Sequence, residues 1–244
     1  MELAPPKFEL LDEETTKKNL ELFKGERTGW VLVGPKKWCF PYKYTEEGEG
    51  YYNFKARPDD TWVLSYPRSG KYTFELYYVA VSWYYLNKAI KTQGYVGDFE
   101  TFWHLFENNL VPWSPYWEHL KEAWAQRNHP NVLFMFYEDM KHDFPKAMKQ
   151  VAKFLGKSYT EEQLKKLAEY LDIKNFRDNP MVNSTELKEC GVIESGVFVR
   201  KGQSGGWKDM FSPELNARAN EWIKENMKKT DIRFPYFDIF NDSN

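Results

Sequence analysis

The run Thr61-Trp62-Val63-Leu64-Ser65-Tyr66-Pro67-Arg68-Ser69-Gly70 decides how this chain is read, and a distant second run, Phe198-Val199-Arg200-Lys201-Gly202-Gln203-Ser204-Gly205-Gly206-Trp207-Lys208, completes the reading. The first is an apolar strand pattern that stops at a proline and delivers Arg, Ser and Gly in succession. Backbone N–H groups of such a loop converge on a phosphate or sulfate, Ser69 adds a hydroxyl and Arg68 a planar cation. The second run sets two cations beside glycines, whose missing side chains let an anion approach the backbone. Together they describe a site for a ligand that is anionic at both ends.

Composition narrows the class. The chain has 244 residues, of which 42% are hydrophobic and 29% charged, enough for one α/β domain with a substantial core. A net charge of -2 gives no support to a general nucleic-acid or membrane-surface binder, and no apolar run approaches a membrane span. The two cysteines, Cys39 and Cys190, have no CxxC spacing, so neither a disulfide framework nor a metal site is indicated. With no secretory h-region near Met1, a cytoplasmic location is the expectation, and the sequon Asn183-Ser184-Thr185 is read as chance. Aromatic residues make up 18%, which fits a bulky core or rings lining a pocket for planar ligands.

Along the chain, the region through Asp60 reads as an irregular aromatic wrap with a short strand at Trp30–Val33 and an acidic turn around Glu46–Gly50. From Thr61 the pattern becomes α/β. A strand is expected over Thr61–Tyr66, a helix over Val79–Ile90, a helix opening at Ser114-Pro115 with Ser114 as N-cap, and a strand over Val132–Phe136. Helices follow over Asp143–Leu155, ended by Gly156, and over Thr160–Leu171, with a Thr160/Gln163 capping box. The last helix starts at Ser212-Pro213. Strands alternating with helices imply a mainly parallel central sheet covered on both faces, a P-loop-like three-layer sandwich.

One interval breaks this pattern. A loop at the end of a parallel strand needs a crossover of at least about 10 to 12 residues before the next strand. Between residues 70 and 79 only Lys71–Tyr78 is available, and it alternates like a strand with no helical face. Either the chain makes a tight hairpin there, unlike its other connections, or the single domain, residues 1–244, lacks an internal segment between residues 70 and 79.

At these residues the chain resembles the cytosolic sulfotransferases, and its aromatic N-terminal region resembles an insect-type member. Tyr66-Pro67-Arg68-Ser69-Gly70 is similar to the family's 5′-phosphosulfate loop. Val79-Ala80-Val81-Ser82-Trp83-Tyr84-Tyr85 resembles the helix whose serine binds the 3′-phosphate. Phe136-Tyr137-Glu138-Asp139-Met140-Lys141 resembles the strand end whose tyrosine lies near adenine, and Val199-Arg200-Lys201-Gly202 through Lys208 the second 3′-phosphate motif. The resemblance implies a sulfotransferase that takes the sulfuryl group of 3′-phosphoadenosine 5′-phosphosulfate (PAPS) to a hydroxyl or amine of a small molecule such as a phenol or alcohol. It assigns Arg68 as the catalytic cation. Arg68, Ser69, Gly70, Ser82, Tyr137, Arg200, Lys201 and Gly202 are the donor-binding residues, with no metal, and a homodimer is compatible with the degenerate dimer motif over Lys208–Ala217.

Three departures from the family pattern stand out. Lys71-Tyr72-Thr73 replaces Thr-Thr-Trp after Gly70, the Arg-Asn-Pro-Lys-Asp run before Ser82 is absent, and the Lys-Thr-His motif that carries the family's general base is missing. None of His104, His119, His129 and His142 reads from sequence as its replacement. A catalytically impaired nucleotide binder is therefore the alternative function, and a deletion that breaks the sheet is a third possibility. A P-loop nucleoside triphosphatase is disfavoured, because the phosphate-loop pattern requires glycine where Ser65 stands and Ser or Thr where Tyr72 stands.

Overall fold

The computed structural model describes residues 6–67, 75–172, 175, 179–180, 184–193 and 208–235. The N-terminal region is more regular than its sequence implied. Strands β1 (Phe8–Leu10), β2 (Trp30–Val33) and β3 (Trp38–Pro41) form an antiparallel meander with Leu10 opposite Val31 and Trp30 opposite Pro41. The expected strand at Trp30–Val33 is β2, and Trp30, Val31 and Val33 are buried. Helix α1 (Glu13–Leu22) lies between β1 and β2. Its N-cap carboxylate, Asp12, accepts from the Thr15 backbone N–H at 2.8 Å and the Thr15 hydroxyl at 2.7 Å, which holds its pKa below the ordinary value.

The acidic turn expected at Glu46–Gly50 is instead part of helix α2 (Tyr44–Tyr52). Two glycines disguise it in sequence, but one has a packing reason. The Tyr44 ring stacks on Phe40 at 4.5 Å, and a Cβ on Gly48 would come within 2.6 Å of that ring.

Helix α3 (Glu75–Ala89) begins earlier than the expected Val79, so the strand-like reading of Lys71–Tyr78 is corrected from Glu75 onward; Lys71–Phe74 lie outside the described residues. The reason is burial on several sides. Leu76, Tyr77, Val79, Ala80, Val81, Trp83, Tyr84, Asn87 and Ala89 are all buried, and a helix covered all round shows no amphipathic period. Helix α4 (Phe99–Glu107) packs on α3 and buries Phe99, Phe102, Trp103 and Phe106.

Helix α5 (Tyr116–Ala125) turns Trp117 and Leu120 inward, as their spacing required. Its cap differs from expectation. Pro115 holds the N-cap position after a cis Ser114-Pro115 peptide, while the Ser114 hydroxyl turns back to donate to the Val111 carbonyl at 2.6 Å. The Ser114 carbonyl accepts from the Cys39 N–H at 2.8 Å, which joins the meander to α5.

Thr61–Tyr66 and Val132–Phe136, the two segments expected as parallel strands, carry no ladder. The sheet formed among the described residues is the antiparallel order β1-β2-β3, not a mainly parallel one. A parallel strand is held by neighbours on both sides and covered on both faces. Trp62, Val63 and Leu64 instead leave 56%, 93% and 81% of their surface exposed.

The C-terminal helices follow their sequence signals. Helix α6 (Tyr137–His142) leads into α7 (Phe144–Phe154), where the Asp143 carboxylate caps the Lys146 N–H. Gly156 ends α7 in the left-handed conformation, with its own N–H on the Lys153 carbonyl and that of Lys157 on the Ala152 carbonyl. Met148 of α7 is buried, whereas Val151 and Leu155, which follows the helix, are exposed. The Thr160/Gln163 capping box forms in full at the start of α8 (Glu161–Tyr170). A short α9 (Thr185–Glu189) precedes α10 (Pro213–Met227), capped by the Ser212 hydroxyl and buried through Leu215, Ala219, Ile223 and Met227.

Two glycine substitutions test this packing. A Cβ on Gly25 would lie 2.0 Å from the Lys91 carbonyl oxygen, so Gly25→Ala should lower the unfolding free energy by about 1–3 kcal/mol. Gly50 lies in α2 with nothing within 4 Å of an added Cβ, and Gly50→Ala should stabilise by about 0.5–1 kcal/mol. Urea denaturation reads both, and opposite signs are the expected result.

Candidate functional site

Of the residues assigned from sequence, Ser82 and Tyr137 are described, while Arg68, Ser69, Gly70, Arg200, Lys201 and Gly202 lie outside the described residues. What the structure gives for both runs is the fixed chain on either side of them.

The described residues flanking the basic run contact α3, the helix that carries Ser82, or the chain just past its end. On the entering side, Ile193 pairs with Ile90 in an isolated antiparallel bridge, and the Lys91 N–H donates to the Val192 carbonyl at 2.9 Å. On the leaving side, Met210 closes a 3₁₀ turn (Lys208–Met210), and its sulfur accepts from the Tyr85 hydroxyl at 3.4 Å. Phe211 then meets the Tyr77 ring edge-on at 5.1 Å, and the Tyr77 hydroxyl donates to the Asn220 side chain on α10. Ser82 is half-buried on α3, between Tyr77, which meets Phe211, and Ile90, which pairs with Ile193. The described residues on either side of the second anion motif therefore meet the helix that carries the proposed hydroxyl, or the two residues that follow it.

The first run is fixed through Tyr66. Its ring is 2% exposed and lies against Phe106 of α4 at 6.5 Å and, on α5, against Tyr116 at 5.0 Å and His119 at 5.8 Å. Burial pushes the phenol pKa up, with the Cys39 thiol adding to the rise, so Tyr66 is neutral and acts as an anchor. Two residues after this anchor comes Arg68.

Tyr137 is the first residue of α6 and is half-buried. The segment before it is fastened by aromatic contacts. Phe136 packs on Phe134 at 5.1 Å, on Trp124 of α5 at 5.9 Å and on Phe234 at 5.9 Å. Helix α5 thus supports Tyr66 along one part of its length and the approach to Tyr137 at its far end. Asp231 secures that end, accepting from the Trp124 indole at 2.8 Å, and the Arg127 guanidinium lies over the Trp124 ring at 4.1 Å.

Sequence reasoning missed the placement of His119 beside Tyr66 and the part played by Asn220. The first had a readable signal, because Tyr116 and His119 stand three apart on a helix and so share a face. The second had none, since the Tyr77–Asn220 contact joins residues far apart in sequence.

Comparison with known proteins places this architecture. Residues 78–231, more than half of the chain, match the model of the sulfotransferase domain, and the chain belongs to that family. It is 33% identical over 157 residues to sulfotransferase 1E1 of Cavia porcellus, covering 64% of this chain and 53% of that protein. Luciferin sulfotransferase of Photinus pyralis is 31% identical over 168 residues, covering 66% and 45%. The chain thus spans about half the length of these relatives. A structure of retinol dehydratase in complex with androsterone and the inactive cofactor PAP superposes with a TM-score of 0.87 at 26% identity, over 96% of this chain and 99% of that one. Mouse sulfotransferase SULT7A1 complexed with PAP gives 0.54 at 26% identity, over 63% and 55%. The sulfotransferase-type α/β fold expected from sequence is therefore that of this chain.

The two cysteines report on the packing around Tyr66. Cys39 is buried, which pushes its thiol pKa up to about 12, whereas Cys190 is exposed. Thiol titration should show one fast group in the folded protein and a second only on unfolding. An unfolded Cys39 ionises near its ordinary 9.0 while the folded one stays protonated, so its contribution to stability is complete below pH 9 and declines as pH rises toward 12. Denaturation midpoints that fall across that window in the wild type, and fall less in Cys39→Ala, are the expected outcome.

Proposed function

We propose that this chain binds PAPS and transfers its sulfuryl group to a hydroxyl or amine of a small molecule such as a phenol or alcohol. The observation that carries the reading is that Met210, after the basic run, is fastened to the helix of Ser82, and Ile193, before it, to Ile90 just past that helix's end. This supports a 3′-phosphate site made of the Ser82 hydroxyl with Arg200, Lys201 and Gly202. Arg68, Ser69 and Gly70, following the buried Tyr66, would hold the 5′-phosphosulfate, and Tyr137 would lie by the adenine. The PAP named with two structural neighbours is in keeping with this assignment. The donor supplies a sulfuryl group on a good leaving phosphate, and the cation of Arg68 would offset charge growing on the bridging oxygen.

The chain is read as one domain that lacks an internal segment between residues 70 and 79. The exposed apolar run Trp62-Val63-Leu64 supports that reading, since it has the composition of a buried strand without the covering neighbours. No helix among the described residues is long and apolar enough to cross a membrane, and both cysteines are free. A cytoplasmic enzyme fits these features, and the degenerate dimer motif at Lys208–Ala217 is the basis for a homodimer. The missing Lys-Thr-His motif favours a second reading, a nucleotide binder without turnover.

Calorimetric titration of adenosine 3′,5′-bisphosphate, with ADP as control, separates these ideas. Binding that requires the 3′-phosphate is expected, and Arg200→Ala should weaken it by about tenfold to a hundredfold, the loss of one charge-assisted contact of about 1.5–3 kcal/mol. Equal affinity for both nucleotides would remove the 3′-phosphate site. Transfer of labelled sulfuryl to any phenol would exclude the pure binder.

A further inference from the structure

Val63 and Leu64 are the most exposed large apolar side chains among the described residues, at 93% and 81%. All of residues 61–65 are exposed, and no backbone hydrogen bond engages their N–H or C=O groups among the described residues. The stretch is nonetheless held at both ends. Tyr66 is buried after it, and before it the Asp60 carboxylate accepts from the Arg57 N–H at 2.9 Å while the Asp60 N–H donates to the Arg57 carbonyl at 3.1 Å. Phe54 meets the Trp62 ring edge-on at 5.5 Å, and Tyr51 and Tyr52, at the end of α2, are exposed as well. Residues 132–136 also lack a ladder but differ in being half-buried, with the Phe134 and Phe136 rings packed on each other and on Trp124.

A bare apolar stretch with an open row of backbone donors and acceptors calls for a partner that supplies both apolar surface and hydrogen bonds. We propose that this partner is a second copy of the chain, paired antiparallel through residues 61–65 about a two-fold axis at Val63. In that register Trp62 faces Leu64 on one side of the ladder, while on the other Val63 faces its own counterpart and Thr61 faces Ser65. The stretch is thus self-complementary, as a closed two-fold interface requires. It holds no charge and no proline, the devices that keep an exposed edge from pairing.

The surroundings favour this occupant over others. A small ligand needs a concavity, whereas Val63 stands almost fully in solvent. The apolar core of a lipid layer offers the backbone no hydrogen bonds. Around the stretch, Glu46, Glu47, Glu49, Asp59 and Asp60 outnumber Lys43, Lys55 and Arg57, a balance that opposes an anionic lipid surface. The exposed surface of Tyr51, Tyr52, Phe54, Trp62, Val63 and Leu64 is on the order of the 800 Å² that each partner gives to a standard interface.

Sedimentation velocity of the full chain over a series of micromolar concentrations tests the pairing, and it is run without nucleotide so that the result is separate from the PAPS site proposed above. Wild type should pass from one copy to a closed pair as concentration rises. Val63→Asp removes the apolar contact from both copies and sets two carboxylates face to face, which should weaken the pair about a hundredfold. Val96→Asp, at an exposed valine outside the stretch, should leave it unchanged. Both side chains are exposed in the single copy, so both variants should keep the wild-type unfolding midpoint in dilute, unpaired protein. In a Cys190→Ser background, Val63→Cys should oxidise to a covalent pair and Val96→Cys should not, because facing Cα atoms of an antiparallel ladder lie about 4.5–5.5 Å apart, within disulfide reach. A single copy at every concentration, a pair that survives Val63→Asp, growth beyond two copies, or failure of Val63→Cys to crosslink would each overturn the two-fold pairing. So would an unpaired chain that cosediments with phosphatidylserine vesicles and loses them in Trp62→Ala.

Discussion

The all-round burial of α3 is the constraint on which the rest of the structure depends. A helix with apolar residues on every side has to be enclosed by other elements. Here Tyr84 meets Phe99 and Phe102 of α4, Trp83 meets Trp113 before α5, and Tyr77 meets Phe211 before α10. Edge-to-face pairs of this kind contribute roughly 0.5–1.5 kcal/mol each beyond the area they bury, and they set the angle of approach as well as the distance. Three parts of the chain are thereby oriented by one helix. Its C-terminal end is closed by polar contacts: the Tyr95 N–H donates to the Asn87 carbonyl, and the Asn87 side chain donates to the Trp83 carbonyl at 2.8 Å.

The same constraint positions the candidate site. Because α3 must be wrapped, the chain has to return to it repeatedly, and two of those returns flank the basic run. Packing and the proposed ligand recognition would therefore share a scaffold, since the contacts at Ile90 and Tyr85 fix the described residues 193 and 210 on either side of the run. Helix α10 adds a brace through Asn220 and through Trp222, whose ring meets Trp103, Phe106 and Trp117. A rigid support of this kind favours anion binding, because less ordering is required when the ligand arrives.

Local signals were legible in the sequence where a single residue type does one physical job. Thr160 with Gln163, Ser212 before Pro213, and Gly156 after α7 were readable because caps act over three or four residues. Ser114 misled, because its hydroxyl found a nearer carbonyl in Val111 and left the cap position to Pro115. The start of α3 was hidden for the opposite reason: burial on all sides removes the period that marks a helix. The strands at Thr61–Tyr66 and Val132–Phe136 had the composition of a parallel sheet but no ladder, since pairing belongs to neighbours and not to the segment itself. The family resemblance, by contrast, pointed to a helix around Ser82, which is α3, and the contacts of that helix and the residues just past it with the chain on either side of the basic run are ones that no local pattern encodes.

The two halves of the site rest on supports of unequal breadth. Around the 3′ side, α3 is braced by α4, by the bridge at Ile193 and by the turn at Met210, so several independent contacts would have to yield before Ser82 moved relative to residue 193 or 210. On the 5′ side the described support is the single buried ring of Tyr66, with exposed Trp62, Val63 and Leu64 before it. A buried aromatic is a strong anchor for its own backbone but fixes direction poorly for residues beyond it, whereas a laddered strand fixes both. On the proposed assignment, the core would define the nucleotide end of the site more tightly than the end where the sulfuryl group would be transferred. Affinity for a 3′-phosphate and competence in transfer would then depend on different parts of the fold.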